Sequence, residues 1–297
     1  MSITEGLIPF RGGNVWYRRV RPAGTERQLP LIIVHGGPGV PHDYLEPLEA
    51  FATDRQVIFY DQIGCGRSPA PSEWNTSAYT VELYIEELET VRRSLALDRV
   101  HLLGQSWGAF LCLEYVLRYQ AEGHVVSMVL HSGAASAAQW AVEAARLRAQ
   151  LPAEVQESLR REEEAGTTSS PAYQQAMEFF YKRHVCRTVP WPECLGRATA
   201  SISLPVYMTM WGPSEFSVTG TLATWTVEGR LHEITVPCLI ISGEHDEATP
   251  AISETLNRGI AHSRMAILAG CSHESHLEDW PAYRDTVTEF LLGAAPS

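Results

Sequence analysis

No stretch of the 297 residues reaches the roughly 20 consecutive apolar positions that a bilayer crossing needs. The opening Met1-Ser2-Ile3-Thr4-Glu5-Gly6 lacks the basic and apolar segments of a secretory leader. Positive charge is scarce: 23 Lys and Arg face 35 Asp and Glu, a formal charge of −12. That balance disfavours nucleic acid or an anionic membrane as partner. The six cysteines are scattered, with no Cys-x-x-Cys pair, and read as reduced thiols of a cytoplasmic protein. There is no internal repeat and no low-complexity segment. What remains is an ordinary globular composition, 45% hydrophobic and 20% charged, long enough for one large α/β domain with an insertion.

Leu7–Val20 reads as a hairpin around Gly12-Gly13-Asn14. Pro30–Val34, Gln56–Tyr60 and Val125–Leu130 show the pattern of strands buried on both faces of a parallel sheet, and Arg99–Leu103 is short, partly apolar and strand-like. Thr80–Leu97 carries apolar residues at helical spacing. From about Ala134 to about Leu231 the pattern turns helical, with helices expected over Gln139–Gln150, Ala153–Glu164 and Ala172–His184. Glu162-Glu163-Glu164 reads as a solvated helix end. After Pro237 strands and helices alternate again, at Cys238–Ile241, Ala251–Ile260, Met265–Leu268 and Tyr283–Leu292. The expected organisation is a core of residues 1–133 and 232–297 with a helical cap of residues 134–231 over the C-terminal strand ends.

The stretch that carries chemistry is Gly104-Gln105-Ser106-Trp107-Gly108, a Gly-x-Ser-x-Gly pattern between a strand and a helix. Such a turn holds its serine in a strained conformation above the sheet, and the flanking glycines remove colliding Cβ atoms. Ser106 is the expected nucleophile.

A serine needs a base, and the base needs an orienting carboxylate, in the chain order Ser, Asp or Glu, His. The strand at Cys238–Ile241 leads to Asp246, with Glu244 and Glu247 as competitors. The strand at Met265–Leu268 leads to His273, with His276 as the alternative base. Two N–H donors must meet the oxyanion: that of Trp107, and that of Gly37 within His35-Gly36-Gly37-Pro38-Gly39. His35 reads as a brace for that loop. No Lys-Ser/Thr follows the loop, Gly64-x-Gly66 lacks a third glycine, and His273 and His276 do not form H-E-x-x-H, so no phosphate, dinucleotide or zinc site is expected.

His35-Gly-Gly-Pro-Gly39, Asp61-Gln-Ile-Gly-Cys-Gly-Arg-Ser68 and Gly104-Gln-Ser-Trp-Gly108 together resemble the proline iminopeptidase family of α/β-hydrolases. Gly212-Pro-Ser-Glu-Phe216, Gly243-Glu-His-Asp-Glu-Ala-Thr-Pro250 and Cys271-Ser-His273 extend the resemblance toward its tricorn-interacting aminopeptidases. The resemblance implies an α/β-hydrolase fold with an inserted helical cap, working without metal or cofactor. It implies a substrate with a free N-terminal amine, a small peptide or aminoacyl amide, whose ammonium is held by Glu215 and Glu247. Relatives in macrolactam antibiotic biosynthesis remove a protecting aminoacyl group, so a carrier-bound chain is the alternative substrate. An esterase without ammonium recognition and a non-catalytic receptor of the same fold are the other readings. Gln105 stands where the family often has Gly or Ser, and Glu274-Ser-His-Leu277 also departs from its pattern. Both departures bear on the leaving group, as do the cap aromatics Trp140, Trp191, Tyr207, Trp211 and Trp225.

Overall fold

The computed structural model describes residues 1–294, so the last three positions of the expected second core segment lie outside it. One sheet of eight strands runs in the order β1-β2-β4-β3-β5-β6-β7-β8. Its strands are β1 (Ser2–Phe10), β2 (Gly13–Arg21), β3 (Leu31–Val34), β4 (Val57–Tyr60), β5 (Val100–Gln105), β6 (Val125–His131), β7 (Cys238–Gly243) and β8 (Ser263–Leu268). β1 pairs antiparallel with β2, and β2 with β4; β4, β3, β5, β6, β7 and β8 are all parallel. β3, β4 and β5 are buried along their whole length; β3 and β4 read as unbroken apolar runs for that reason, while β5 also buries His101 and Gln105.

The hairpin is longer than its apolar pattern announced, because the first four residues of β1 face solvent and show no alternation. Its turn is made by Arg11 and Gly12, both at positive φ (43° and 85°), as a two-residue hairpin loop requires.

Helices cover both faces. α1 (Val81–Ser94) is capped by Thr80, whose side chain accepts the Leu83 N–H. α2 (Trp107–Tyr119) follows β5 directly. Between β6 and β7 come α3 (Ala137–Arg148), α4 (Ala153–Glu164), α5 (Pro171–His184), α6 (Glu193–Ala200) and α7 (Leu204–Met210). The sequence announced only three of these, since α6 and α7 have 8 and 7 residues, too few for a helical period to show. After β7 come α8 (Pro250–Gly259), α9 (Ser275–Glu278) and α10 (Trp280–Gly293). Among the described residues, no helix is long and apolar enough to cross a membrane.

The helical insertion is anchored at named points. Trp225 stacks on Phe110 of α2 at 4.6 Å and 9°, and its Nε1 donates to Glu114. The expected helix end at Glu162–Glu164 is there, with Glu164 exposed, but Glu162 and Glu163 are tied to neighbouring helices rather than simply solvated. Glu163 takes two hydrogen bonds from Arg148, tying α4 to α3, and Glu162 accepts from Ser170, the cap of α5. The end of α5 sits on the two late loops of the core. His184 O accepts from the N–H groups of Glu247 and His273, and Val185 O accepts from that of Glu274.

Candidate active site

Ser106 occupies the turn between β5 and α2 with φ 55° and ψ −124°, a left-handed conformation that costs a non-glycine residue energy. The neighbouring glycines are obligatory. A Cβ on Gly104 would lie 2.2 Å from Gly108 O, and one on Gly108 would lie 2.0 Å from Val34 O. β5, α2 and β3 therefore meet at backbone distance. As the first residue of α2, Trp107 has no preceding helical turn to accept its N–H.

The glycine-rich loop after β3 is locked to this turn by Gln62. Trp107 Nε1 donates to Gln62 Oε1 at 2.8 Å, while Gln62 Nε2 donates to His35 O, also at 2.8 Å. His35 Nε2 accepts the Gln62 N–H, and its Nδ1–H donates to Gly36 O. Both ring nitrogens are thus engaged in the neutral form, and burial lowers the ring to about 4 against the pull of Asp61. His35 is a brace, and it holds Gly37, at φ 106°, in the cavity wall beside Ser106. The Asp61–Ser68 motif is a clamp of the same kind. Asp61 accepts from the His42 ring at 2.7 Å and from the Arg67 N–H at 2.8 Å, and Ser68 Oγ donates to Asp61 O.

The late loops bring Asp246 and His273 together. His273 Nδ1 donates to Asp246 Oδ1 at 2.8 Å. Asp246 is held in turn by the Ala248 N–H (2.8 Å), the Gly243 N–H (3.3 Å) and Ser132 Oγ (2.5 Å). Ser132 follows β6, and no sequence pattern pointed to it. The competitor Glu244 is exposed and accepts the Gly270 N–H; His276 is buried, its Nε2 donating to Tyr44 O.

Ser106 and His273 line one cavity of about 340 Å³, together with Gly37, Glu215 and Glu247. No hydrogen bond joins Ser106 to His273 in this structure. Nε2 of His273 lies 3.7 Å from Glu247 Oε1, while Glu247 Oε2 is buried with no partner. Bonds between nucleophile and base are commonly loose until substrate closes the site. Glu215 comes from the insertion, and Tyr207 donates to its Oε1 at 2.6 Å. Burial raises both carboxyls, and the charge of Glu215 raises Glu247 further. Two buried carboxyls with an open oxygen, in a cavity whose lining holds no Lys or Arg, are suited to a ligand cation.

Of the cap aromatics, Tyr207 and Trp191 line the cavity. Trp140 meets both Trp211 and the His273 ring edge-on, at 5.5 and 5.9 Å, so it packs against the imidazole. Glu274, noted in sequence only as the start of a segment that departs from the family pattern, also lines the cavity and is 5% exposed. Among the described residues, no group of three or more His, Cys, Asp or Glu is arranged to hold a metal ion.

Residues 30–279 match the α/β-hydrolase fold family. The proline iminopeptidase of Lactobacillus delbrueckii subsp. lactis is 39% identical, covering 98% of this chain and 99% of its own. The crystal structure of proline iminopeptidase from Mycobacterium smegmatis superposes with a TM-score of 0.91 at 40% identity, covering 98% of each chain. That of VinJ superposes with a TM-score of 0.94 at 36% identity, covering 98% of this chain and 99% of its own. Likeness of this extent over nearly the whole chain makes it a member of the proline iminopeptidase family of α/β-hydrolases.

Proposed function

We propose that this hydrolase is a serine aminopeptidase that releases the N-terminal residue of a peptide or aminoacyl amide through an acyl-enzyme. The observation that carries the reading is one cavity holding Ser106 at positive φ, the Asp246-held His273 and two buried carboxylates. In the proposed reaction the substrate ammonium sits between Glu215 and Glu247 and fixes the first residue over Ser106. Ser106 Oγ adds to the carbonyl carbon while His273 Nε2 takes its proton. The Gly37 and Trp107 N–H groups hold the oxyanion. Asp246 keeps Nδ1 protonated and stabilises the imidazolium. As the C–N bond breaks, His273 gives its proton to the leaving amine. Water then hydrolyses the ester through the same sequence. Residues 134–231 act as the cap that closes the cavity and supplies Glu215.

Ser106→Ala is expected to abolish turnover while substrate still binds; turnover within tenfold of the parent refutes the nucleophile. Comparing an aminoacyl anilide with its N-acetylated form tests the ammonium clamp, because an esterase-type site turns over both at similar rates.

A further inference from the structure

The cavity holds two polar atoms that this mechanism does not use. Gln105 Nε2 and Glu274 Oε2 are both buried and both without a partner. Their residues line the cavity and are 1% and 5% exposed. A buried polar group left unmatched destabilises the fold, so an unmatched donor and acceptor on residues lining one binding cavity point to a ligand.

The orientation of Gln105 is fixed by a relay. The Gly36 N–H donates to Tyr44 Oη at 2.8 Å, so the Tyr44 hydroxyl donates onward to Gln105 Oε1 at 2.6 Å. The Gln105 amide nitrogen is left over. Glu274 is set by its own N–H on Val185 O, and its Oε2 lies 3.7 Å from His276 Nδ1. His276 uses its Nε2 hydrogen on Tyr44 O, so Nδ1 has no hydrogen to offer Glu274.

The cavity wall carries two groups of linked polar side chains. At the Glu215 end, Tyr207 donates to that carboxyl. At the other, Tyr44 donates to Gln105, and the Tyr44 carbonyl holds the His276 ring that lies 3.7 Å from Glu274. Ser106 and His273 lie on the wall of the same cavity. A substrate with its ammonium at the Glu215 end therefore sends its leaving amine toward Tyr44, Gln105 and Glu274.

We propose that Gln105 and Glu274 form a second polar subsite that reads the first amide of the leaving amine. Gln105 Nε2 donates to the amide oxygen, and Glu274 Oε2 accepts the amide N–H. A second ammonium fits less well, since it leaves the Gln105 donor unmatched and facing a cation. The substrate class is thus a peptide or peptide-like amide, not a simple alkyl or aryl amine. This assignment rests on Glu215 and Glu247 holding the N-terminal ammonium.

The test compares kcat/KM for an aminoacyl glycinamide and an aminoacyl butylamide sharing the same first residue. The wild type is expected to favour the glycinamide. Glu274→Leu and Gln105→Met should each reduce the ratio of the two constants about tenfold. Glu274→Gln, which keeps an acceptor, should hold the ratio within threefold. A ratio unchanged in both Leu and Met variants, or a wild-type preference for the butylamide or a longer alkyl amide, overturns the proposal. Should Glu274→Leu fail to fold, Gln105→Met alone decides it. Equal turnover of N-acetylated and free substrates would sink the ammonium reading instead, and it leaves this ratio unaffected.

Discussion

Glu247 Oε1 lies 3.7 Å from Nε2 of His273, the ring nitrogen that Asp246 leaves open. Burial alone lowers the imidazole, but Asp246 and Glu247 outweigh it and push the ring up to about 10. An imidazole already protonated cannot take the Ser106 proton. A substrate ammonium placed against Glu247 cancels that charge and lowers the ring toward its ordinary value.

The first prediction follows from the sign of that change. The acidic limb of kcat/KM reports the free enzyme and that of kcat reports the complex. The kcat/KM limb should therefore lie at least about one pH unit above the kcat limb, one unit being about 1.4 kcal/mol. Glu247→Gln removes a charge that raises His273, so its kcat/KM limb should move to lower pH while KM rises. A shift to higher pH contradicts the coupling.

Ser132→Ala tests how Asp246 is held. The Ser132 hydroxyl donates to Asp246 Oδ2 at 2.5 Å, from a residue at φ 53°. Its loss leaves a buried carboxylate oxygen short of a donor, at about 1–3 kcal/mol. We expect kcat to fall about tenfold with KM nearly unchanged, because Ser132 touches the orienting carboxylate and not the cavity. Equal changes in kcat and KM would mean a general loss of structure.

His35 gives a pH-dependent contribution to stability. Its folded value is depressed to about 4 from an ordinary 6.5. The unfolded chain thus binds a proton between those values that the folded chain does not. The contribution is fully present above about 6.5 and is lost as pH falls toward 4. Denaturant unfolding of His35→Asn and wild type should show their stability difference narrowing over that window. A difference that widens on acidification would show that the ring is charged in the folded state.

The parts of the molecule that were legible in sequence are those whose burial imposes a pattern. β3 and β4 are covered on both faces and read as apolar runs. Chain order pointed to Asp246 and His273, and these two meet at 2.8 Å. What stayed hidden depends on contacts between distant segments. Glu274 showed in sequence only as part of a departure from the family pattern; its place in the cavity depends on Val185, at the end of α5, which accepts its N–H. Ser132 is one of many serines until β6 places it under Asp246. α6 and α7 are too short to show a period, so the helices that flank the cavity mouth left no trace in the pattern.

The glycines of the elbow separate a steric requirement from a merely common residue. A Cβ on Gly108 would sit 2.0 Å from Val34 O and 2.8 Å from His35 O. These are backbone atoms of β3 and the loop that carries Gly37, so relief requires α2 to move away from both. Gly108→Ala should cost more than about 3 kcal/mol, beyond ordinary overpacking. Any folded fraction should lose turnover, because the oxyanion hole proposed from the Gly37 and Trp107 N–H groups would be pulled apart. Gly196, inside α6, has open space within 4 Å of where a Cβ would stand and a backbone any residue adopts. There alanine only restricts the unfolded chain and favours the helix, by about 0.5–1 kcal/mol. Thermal unfolding of the two variants should move in opposite directions, with turnover kept in Gly196→Ala and lost in Gly108→Ala. Tolerance of alanine at 108 would mean that the elbow is not held against β3 at backbone distance, and that the strain at Ser106 is not imposed from there.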